Sequence, residues 1–548
     1  MRHSLFLNAS VYFIGILLLL AGCETMPPAV QEVAKAVGIE TGVKVGRLPP
    51  PSARPAWPDP ALDSRNQRAR GEGLVAMPDL QGYLNSLYNK VKASANVPDW
   101  PGGVFITPTS ELDAYSTAAG NIYLSLAWIE SAESEDEVVA LLSHEFGHIY
   151  LNSHALENAI VGTDQASKWL GVGVALAKKT GSVTGWTAVD TFLLSYQLGK
   201  NSFAPAWSRG DEEQADAVGA TISMKLNYSF ASGFKAMLER QSSWEVENAA
   251  RLMKERATML EQLKQTKAAT IRNRQSGANA KPGLDDVEVS LHSGLADFTE
   301  VFANGLGEVV KKVTSTHPTT EARLVQLTAQ VLPLIEGKPR VKSAVQPWRD
   351  ALAHEPTNTI IRNYQFVRQA QEALHRKEFA AARRLAIQSA TGATERHALP
   401  ALILSLTEQY AELETATRKL QKRPLQKQRV EPLQRNIDSD ADRAWKVYMM
   451  RAQLLVGAGQ TAQAKSVIAD GFAYFADSPF AWPEAITFMG NSEGWDKAKE
   501  LARACTIRFP SYGATCSQAS TSPQDRETGE LQNNEKVKSL GEKLKKMF

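Results

Sequence analysis

The chain is short of the residues that build small cross-linked scaffolds: its 548 residues include three cysteines. A disulfide framework is therefore excluded. It also lacks an excess of either charge, with 61 Lys and Arg against 59 Asp and Glu and a formal net charge of +2. That balance leaves no electrostatic footprint for nucleic acid, and no nucleic-acid partner is expected. Long apolar runs are missing too. Val11 to Leu20 reaches only about half of the ~20 residues that a spanning helix needs, and a mean hydropathy of −0.27 argues against a polytopic membrane protein. What is present is a globular composition, 43% hydrophobic, which excludes wholesale disorder. The length is too great for one ordinary core, so two or three domains are expected.

The first cysteine sits in an address. Arg2 gives a basic start, Val11 to Leu20 an apolar h-region, and Ala21-Gly22 small residues before Cys23. This is the pattern of a secretory signal, residues 1–22. Leu20-Ala21-Gly22-Cys23 resembles a bacterial lipobox, which implies cleavage before Cys23 and its lipidation. Acyl chains would then tether the mature protein stably. Glu24, rather than Asp, after the cysteine implies sorting to the outer membrane, with the folded part in the periplasm. An ordinary signal peptide or signal anchor is the alternative.

Residues 23–76 read as a Pro-rich tether, because Pro27, Pro28, Pro49, Pro50, Pro51, Pro55, Pro58 and Pro60 favour extended chain. A folded region opens near Met77 with a helix that repeats Leu80, Tyr83, Leu84, Leu87 and Tyr88 on one face. Two strand-like pieces follow, Val104-Phe105-Ile106 and Asn121-Ile122-Tyr123-Leu124. The second is a candidate edge for an extended substrate. A helix is expected from Ser134 to Leu151, with Ser134 and Glu137 forming a capping box. Apolar stretches within 159–207 suggest a hairpin over the site or core packing. Pro339, Pro347 and Pro356 mark a break, and the chain beyond it reads as helical. Ala464-Lys465 and Ala498-Lys499 stand 34 residues apart, as do Phe475 and Phe509. Tyr364 to Ala390 looks like a third, degenerate copy. A 34-residue period fits tetratricopeptide-like helical pairs over 355–515, with unrelated hairpins as the alternative. Residues 415–435 read as a loop or overlong helix, and 516–548 as a polar, basic tail. Cys505 and Cys516, 11 apart, can form a disulfide in an oxidising periplasm.

Residues 144–148 read His-Glu-Phe-Gly-His. Spacing of i, i+4 puts His144 and His148 one turn apart on one helix face, where both can hold a metal ion. Glu145 lies beside them, placed to take a proton from a water on the metal. A catalytic zinc wants a third protein ligand and an open fourth position. Glu212 can supply it from the acidic stretch Ser208 to Asp216, and Asp216, one turn on, can accept the N–H of a ligand histidine. Ser208 is a candidate N-cap for that helix. His154 points to another face, and His292, His354, His375 and His397 lack a ligand-spaced partner.

Asp113-Ala114-Tyr115, Gly120-Asn121-Ile122-Tyr123, His144 to His148, and Ser208-Arg209…Glu212…Ala215-Asp216…Gly219 together resemble the BepA/HtpX/Oma-type gluzincin metalloproteases. Asp113 stands where many members carry Asn, and Gln214 where Glu is common. The resemblance implies an α+β, mostly helical fold: a gluzincin domain with a small sheet over 77–338, followed by an α-solenoid of tetratricopeptide-like repeats. It implies one Zn2+ per chain on His144, His148 and Glu212, with Glu145 as catalytic base and Asp216 behind the ligands. His317-Pro318 with Arg323 matches a later family element, and His317 is the candidate for a regulatory fourth ligand. The implied function is a membrane-tethered periplasmic zinc metalloendopeptidase in protein quality control. Its substrates would be unfolded or misassembled envelope proteins, and the repeats would meet outer-membrane assembly machinery. The alternative is a chaperone or adaptor with a latent protease.

Overall fold

A computed structural model of the chain describes residues 43–54, 56–71, 73–153, 209–248, 320–416, 427–439, 442–522 and 525. Prolines open the first two helices, where their missing N–H costs nothing. α1 (Pro60–Arg70) is capped by Asp59, which accepts from the Ala61 N–H at 2.8 Å. α2 (Pro78–Ser94) buries Leu80, Leu84, Leu87, Tyr88 and Val91 as one stripe. β1 (Val104–Thr107), β2 (Ala114–Ser116) and β3 (Ile122–Ser125) form a sheet of order β1-β3-β2, with β1 parallel and β2 antiparallel to β3. Residues 121–124, expected as an edge, therefore lie on the central strand. Ile122, Tyr123 and Leu124 are all buried, whereas β1 alternates between buried and half-buried. β2 is an outer strand instead. Gly102 and Gly120, both at positive φ, let the loop before β1 pass under the β2–β3 turn, since a Cβ on Gly102 would lie 2.0 Å from the Gly120 oxygen.

α3 (Leu126–Ser131) leads into α4 (Glu135–Leu151), buried from Glu135 to Tyr150. Ser134 Oγ accepts the Glu137 N–H at 3.2 Å. The reciprocal half of the expected capping box is displaced: the Glu137 carboxylate takes the N–H of Glu133 at 3.0 Å and pairs with Arg240. α5 (Arg209–Lys225) packs along α4, followed by a π-helical turn, Ala231–Lys235, and a helical continuation to residue 248. α6 (Thr320–Ile335) returns to pack on α5. Ser208, His154, His317 and the stretch 159–207 lie outside the described residues, as do Cys23 and the signal segment.

The tether expectation fails over its described part. Residues 43–54 run along the core formed by α4 and α5: Val45 is buried, Gly46 N–H donates to Thr221 Oγ1 at 2.9 Å, and Ser52 N–H to the Tyr150 carbonyl at 3.1 Å. α1 then bridges two units. Asp63 accepts from Thr117, Asn121 and Tyr123 at 2.7–2.9 Å, while Arg65 and Arg68 reach Asp477 and Asp442, each at 3.4 Å. Prolines that favour extended chain also suit a strap laid over a surface, and composition does not distinguish the two.

α7 (Val345–Ala353) occupies the expected break and docks Trp348, whose Nε1–H donates to the Ala132 carbonyl at 2.9 Å. Then come α8 (Thr357–His375), α9 (Phe379–Ser389), α10 (Ala398–Ala416), α11 (Lys427–Ile437), α12 (Trp445–Gly457), α13 (Thr461–Phe475), α14 (Trp482–Glu493), α15 (Trp495–Arg508) and α16 (Gly513–Ala519). They pack as consecutive pairs. Ala382, Ala464 and Ala498 each stand fourth in the second helix of a pair, and each is fully buried. A small side chain there lets two helices close up. Cys505 and Cys516 are both buried and disulfide-bonded, with Cα atoms 6.2 Å apart. Among the described residues no helix is long and apolar enough to cross a membrane. One buried apolar cluster runs from Val45 to Leu454, so the first helical pairs share a core with the sheet and α4.

His397 lies in that shared region, buried, with Nδ1 3.1 Å from the Tyr364 hydroxyl. Burial pushes its pKa down to about 4. Below the ordinary value near 6.5 the unfolded chain takes up a proton that the folded chain refuses, so this contribution is lost as pH falls from 6.5 to 4. The stability difference between wild type and His397→Gln should shrink by about 3 kcal/mol between pH 7 and 4. Urea melts at both pH values check this; a pH-independent difference would refute it.

Candidate metal centre

Two helices carry the site, and glycine sets their separation. A Cβ on Gly147 would lie 2.8 Å from the Ala215 carbonyl oxygen, and one on Gly219 would lie 2.9 Å from the His144 nitrogen. α4 and α5 thus cross backbone to backbone. Residues at or within one turn of these contacts then face one another, and these are His144 and His148 on α4, and Glu212 and Asp216 on α5.

All four are buried, between 0% and 6% exposed. One ligand atom from each of His144, His148 and Glu212 lies within 4.8 Å of the others. Glu212 Oε2 is 3.6 Å from His144 Nε2, and Oε1 is 3.5 Å from His148 Nε2. These separations are long for hydrogen bonds, but two ligands sharing one ion at ~2.1 Å in a tetrahedron stand about 3.4 Å apart. His144 Nδ1 lies 2.9 Å from Asp216 Oδ1. With the proton on Nδ1, that contact leaves the Nε2 lone pair facing Glu212 and His148. The donor set fits a single divalent cation.

Arg323 of α6 joins the carboxylates from behind. Its Nε and Nη2 bond both oxygens of Asp216, at 2.9 and 2.8 Å, and its Nη1 lies 2.8 Å from Glu212 Oε2. Burial would raise the Asp216 pKa, but Arg323 and then His144 hold it well below the usual carboxylate range. Burial would lower the Arg323 pKa, and the two carboxylates drive it well above normal. For His144, burial pulls down while Asp216 and Glu212 push up, and the net shift is upward. Glu145 is pushed up to about 7 by burial, with Glu212 adding to the rise, His144 opposing it, and a hydrogen bond from Ser116 of β2 favouring the charged form. Asp113, just before β2, is pushed up to about 6 by burial and the Glu111 charge.

Residues 78–331 match the model of Peptidase family M48. The matched region runs from the start of α2 into α6 and holds every residue of the centre. The family is one of metalloproteases, and the match indicates a hydrolase of that kind. The Beta-barrel assembly-enhancing protease of Yersinia pestis is 25% identical over 158 residues, and that of Escherichia coli (strain K12) is 23% identical over 158 residues. Each alignment covers 28% of this chain and 31% of the relative, so the chain spans about a third of the length of the curated relatives it matches. The sequence named His144, His148 and Glu212 as donors, with Glu145 and Asp216 beside them, and the structure brings the three donors together in this matched region. Sequence reasoning noted Arg323 only as part of a family pattern and missed its fork onto Glu212 and Asp216. The available signal was electrostatic: two buried carboxylates one turn apart demand a cation. Ser116 carried no local signal.

Both carboxylates and the helix crossing can be tested by substitution. Arg323→Ala leaves two buried carboxylates without their cation and should cost about 3–5 kcal/mol in urea denaturation. Gly219→Ala should push α5 from α4 and cost about 1–3 kcal/mol, with weaker metal retention against a chelator. Wild-type melts and metal retention in both variants would contradict this account.

Proposed function

We propose that the chain is a zinc metalloendopeptidase of the bacterial cell envelope, lipid-anchored through Cys23 and acting in quality control of outer-membrane proteins. The observation that carries this reading is the convergence of His144, His148 and Glu212 in a buried pocket beside Glu145. His144 and His148, through Nε2, and Glu212, through a carboxylate oxygen, would hold the ion. Zinc bound there supplies Lewis acidity, which acidifies water toward pKa ~7 and polarises a peptide carbonyl.

The chain's own residues do the rest. Glu145 takes the proton of the attacking water and passes it to the leaving amine. Ser116 orients that carboxylate from β2. Asp216 fixes the ring of His144, and Arg323 keeps Asp216 charged while it pairs with Glu212. An extended client adds to the outer strand β2, whose Ser116 already faces Glu145, rather than to β3. Unfolded chains offer such backbone, and folded ones mostly do not. The helical pairs from α8 to α15 are read as tetratricopeptide-like repeats that hold a client or assembly machinery. The name of the relatives, a protease that enhances β-barrel assembly, supports that choice of client. His317, outside the described residues, is read as a regulatory fourth ligand.

Glu145→Gln should lower the rate of cleavage of an unfolded outer-membrane β-barrel protein by about 10²- to 10⁴-fold with zinc content unchanged. If neither wild type nor His317→Ala cleaves unfolded porin or casein, the peptidase reading is wrong. If Glu145→Gln abolishes cleavage but still supports barrel assembly, binding is the principal role.

A further inference from the structure

Helix α4 ends three residues beyond His148, and the carbonyls of its last turn need partners from elsewhere. Asn152, in the left-handed region, turns its N–H back onto the carbonyls of His148 and Ile149. The remaining bonds come from the strap at residues 49–54. Ser52 N–H donates to the Tyr150 carbonyl at 3.1 Å, and Ser52 Oγ donates to the Leu151 carbonyl at 2.9 Å. Tyr150 returns a hydroxyl bond to the Pro49 carbonyl at 2.7 Å. Arg54 Nη2 donates to the Ile149 carbonyl.

The second arm of the Arg54 fork goes elsewhere. Its Nη1 donates to the Ala118 carbonyl at 3.3 Å, in the turn between β2 and β3. The guanidinium lies against two aromatic rings, 4.2 Å from the centre of Trp57 and 5.6 Å from that of Trp100. Ile149 is the neighbour of His148, and Ala118 is two residues past Ser116, which bonds Glu145. One planar side chain therefore ties together the helix that carries both imidazoles and the hairpin that orients the base. Its charge also sits where the carbonyl ends of α4 concentrate negative potential. Lysine would keep that charge but lose the two-armed geometry.

We propose that Arg54 is a positioning residue of the catalytic helix, and that the strap leading from the N-terminus is thereby a working part of the active-site framework. What the helix positions rests on the metalloprotease reading above; the crosslink itself does not. The experiment uses the full chain with Arg54→Lys and Arg54→Ala. Hydrogen exchange in the zinc-free protein is read at the amides of 148–152 and of 117–121. Zinc retention against a chelator and kcat and KM per zinc-loaded molecule are read beside it. In Arg54→Lys, exchange should quicken about tenfold at both places together while the melting of the helical pairs is unchanged. Zinc should be lost more readily, and kcat should fall about tenfold with KM little altered. Quickened exchange at one place alone, or unchanged kcat in fully loaded Arg54→Lys, would overturn the proposal. If Arg54→Ala does not fold, Arg54→Lys still decides. If no variant, wild type included, cleaves any substrate, the peptidase reading fails, while exchange and zinc retention still test Arg54.

Discussion

The centre depends on how closely two helices can approach. Gly147 on α4 meets Ala215, and Gly219 on α5 meets the backbone at His144, with no room for a methyl group at either contact. At that separation a glutamate on one helix can stand among two imidazoles on the other, and an aspartate one turn later can reach a ring nitrogen. The crossing then concentrates negative charge in a dry space, which explains why a third helix must deliver Arg323 to the back of the same pocket. Glycine spacing, carboxylate placement and the buried arginine are one arrangement seen from three chain segments.

The other end of α4 is equally committed. Three consecutive acids begin the helix, where its dipole favours them, but each also has a separate errand. Glu135 receives the hydroxyls of Tyr83 and Tyr228. Asp136 takes the N–H groups of Ser229 and Ala344 and the hydroxyl of Ser343. Glu137 binds Arg240. The helix that holds the imidazoles is therefore pinned at its start to α2, to the segment after α5 and to the approach to α7. Through Trp348 and the Arg368–Glu130 pair, the same neighbourhood joins the helical pairs to the protease-like core.

Legibility from sequence followed distance along the chain. His144, Glu145 and His148 lie within five residues, and Glu212 and Asp216 within one turn, so helical periodicity alone placed each set on a face. The alanines at 464 and 498 stood out in the sequence through their 34-residue spacing, and both are buried in the second helix of a pair. What escaped notice spans the chain. Arg323 meets Asp216 across 107 residues, Ser52 meets Leu151 across 99, and Arg68 meets Asp442 across 374. Nothing local marks such partners. The strand expected at an edge was misplaced for a related reason: the apolar run Ile122-Tyr123-Leu124 does signal burial, but the identity of its two flanking strands is a tertiary fact.

The bridge made by α1 has a consequence for how the molecule comes into being. This helix emerges early in synthesis, yet Arg65 and Arg68 find Asp477 and Asp442 only after nearly the whole chain has been made. Closing a ring of that size is entropically expensive and slow compared with forming any one helical pair. Asp63 and Gln67 of the same helix bond Thr117, Asn121, Tyr123 and Tyr115, partners only about 50 to 60 residues away, so those bonds can form before residues 442 and 477 are made. The sheet can therefore gain its brace early, and only the ties from α1 to the helical array wait for the end of the chain.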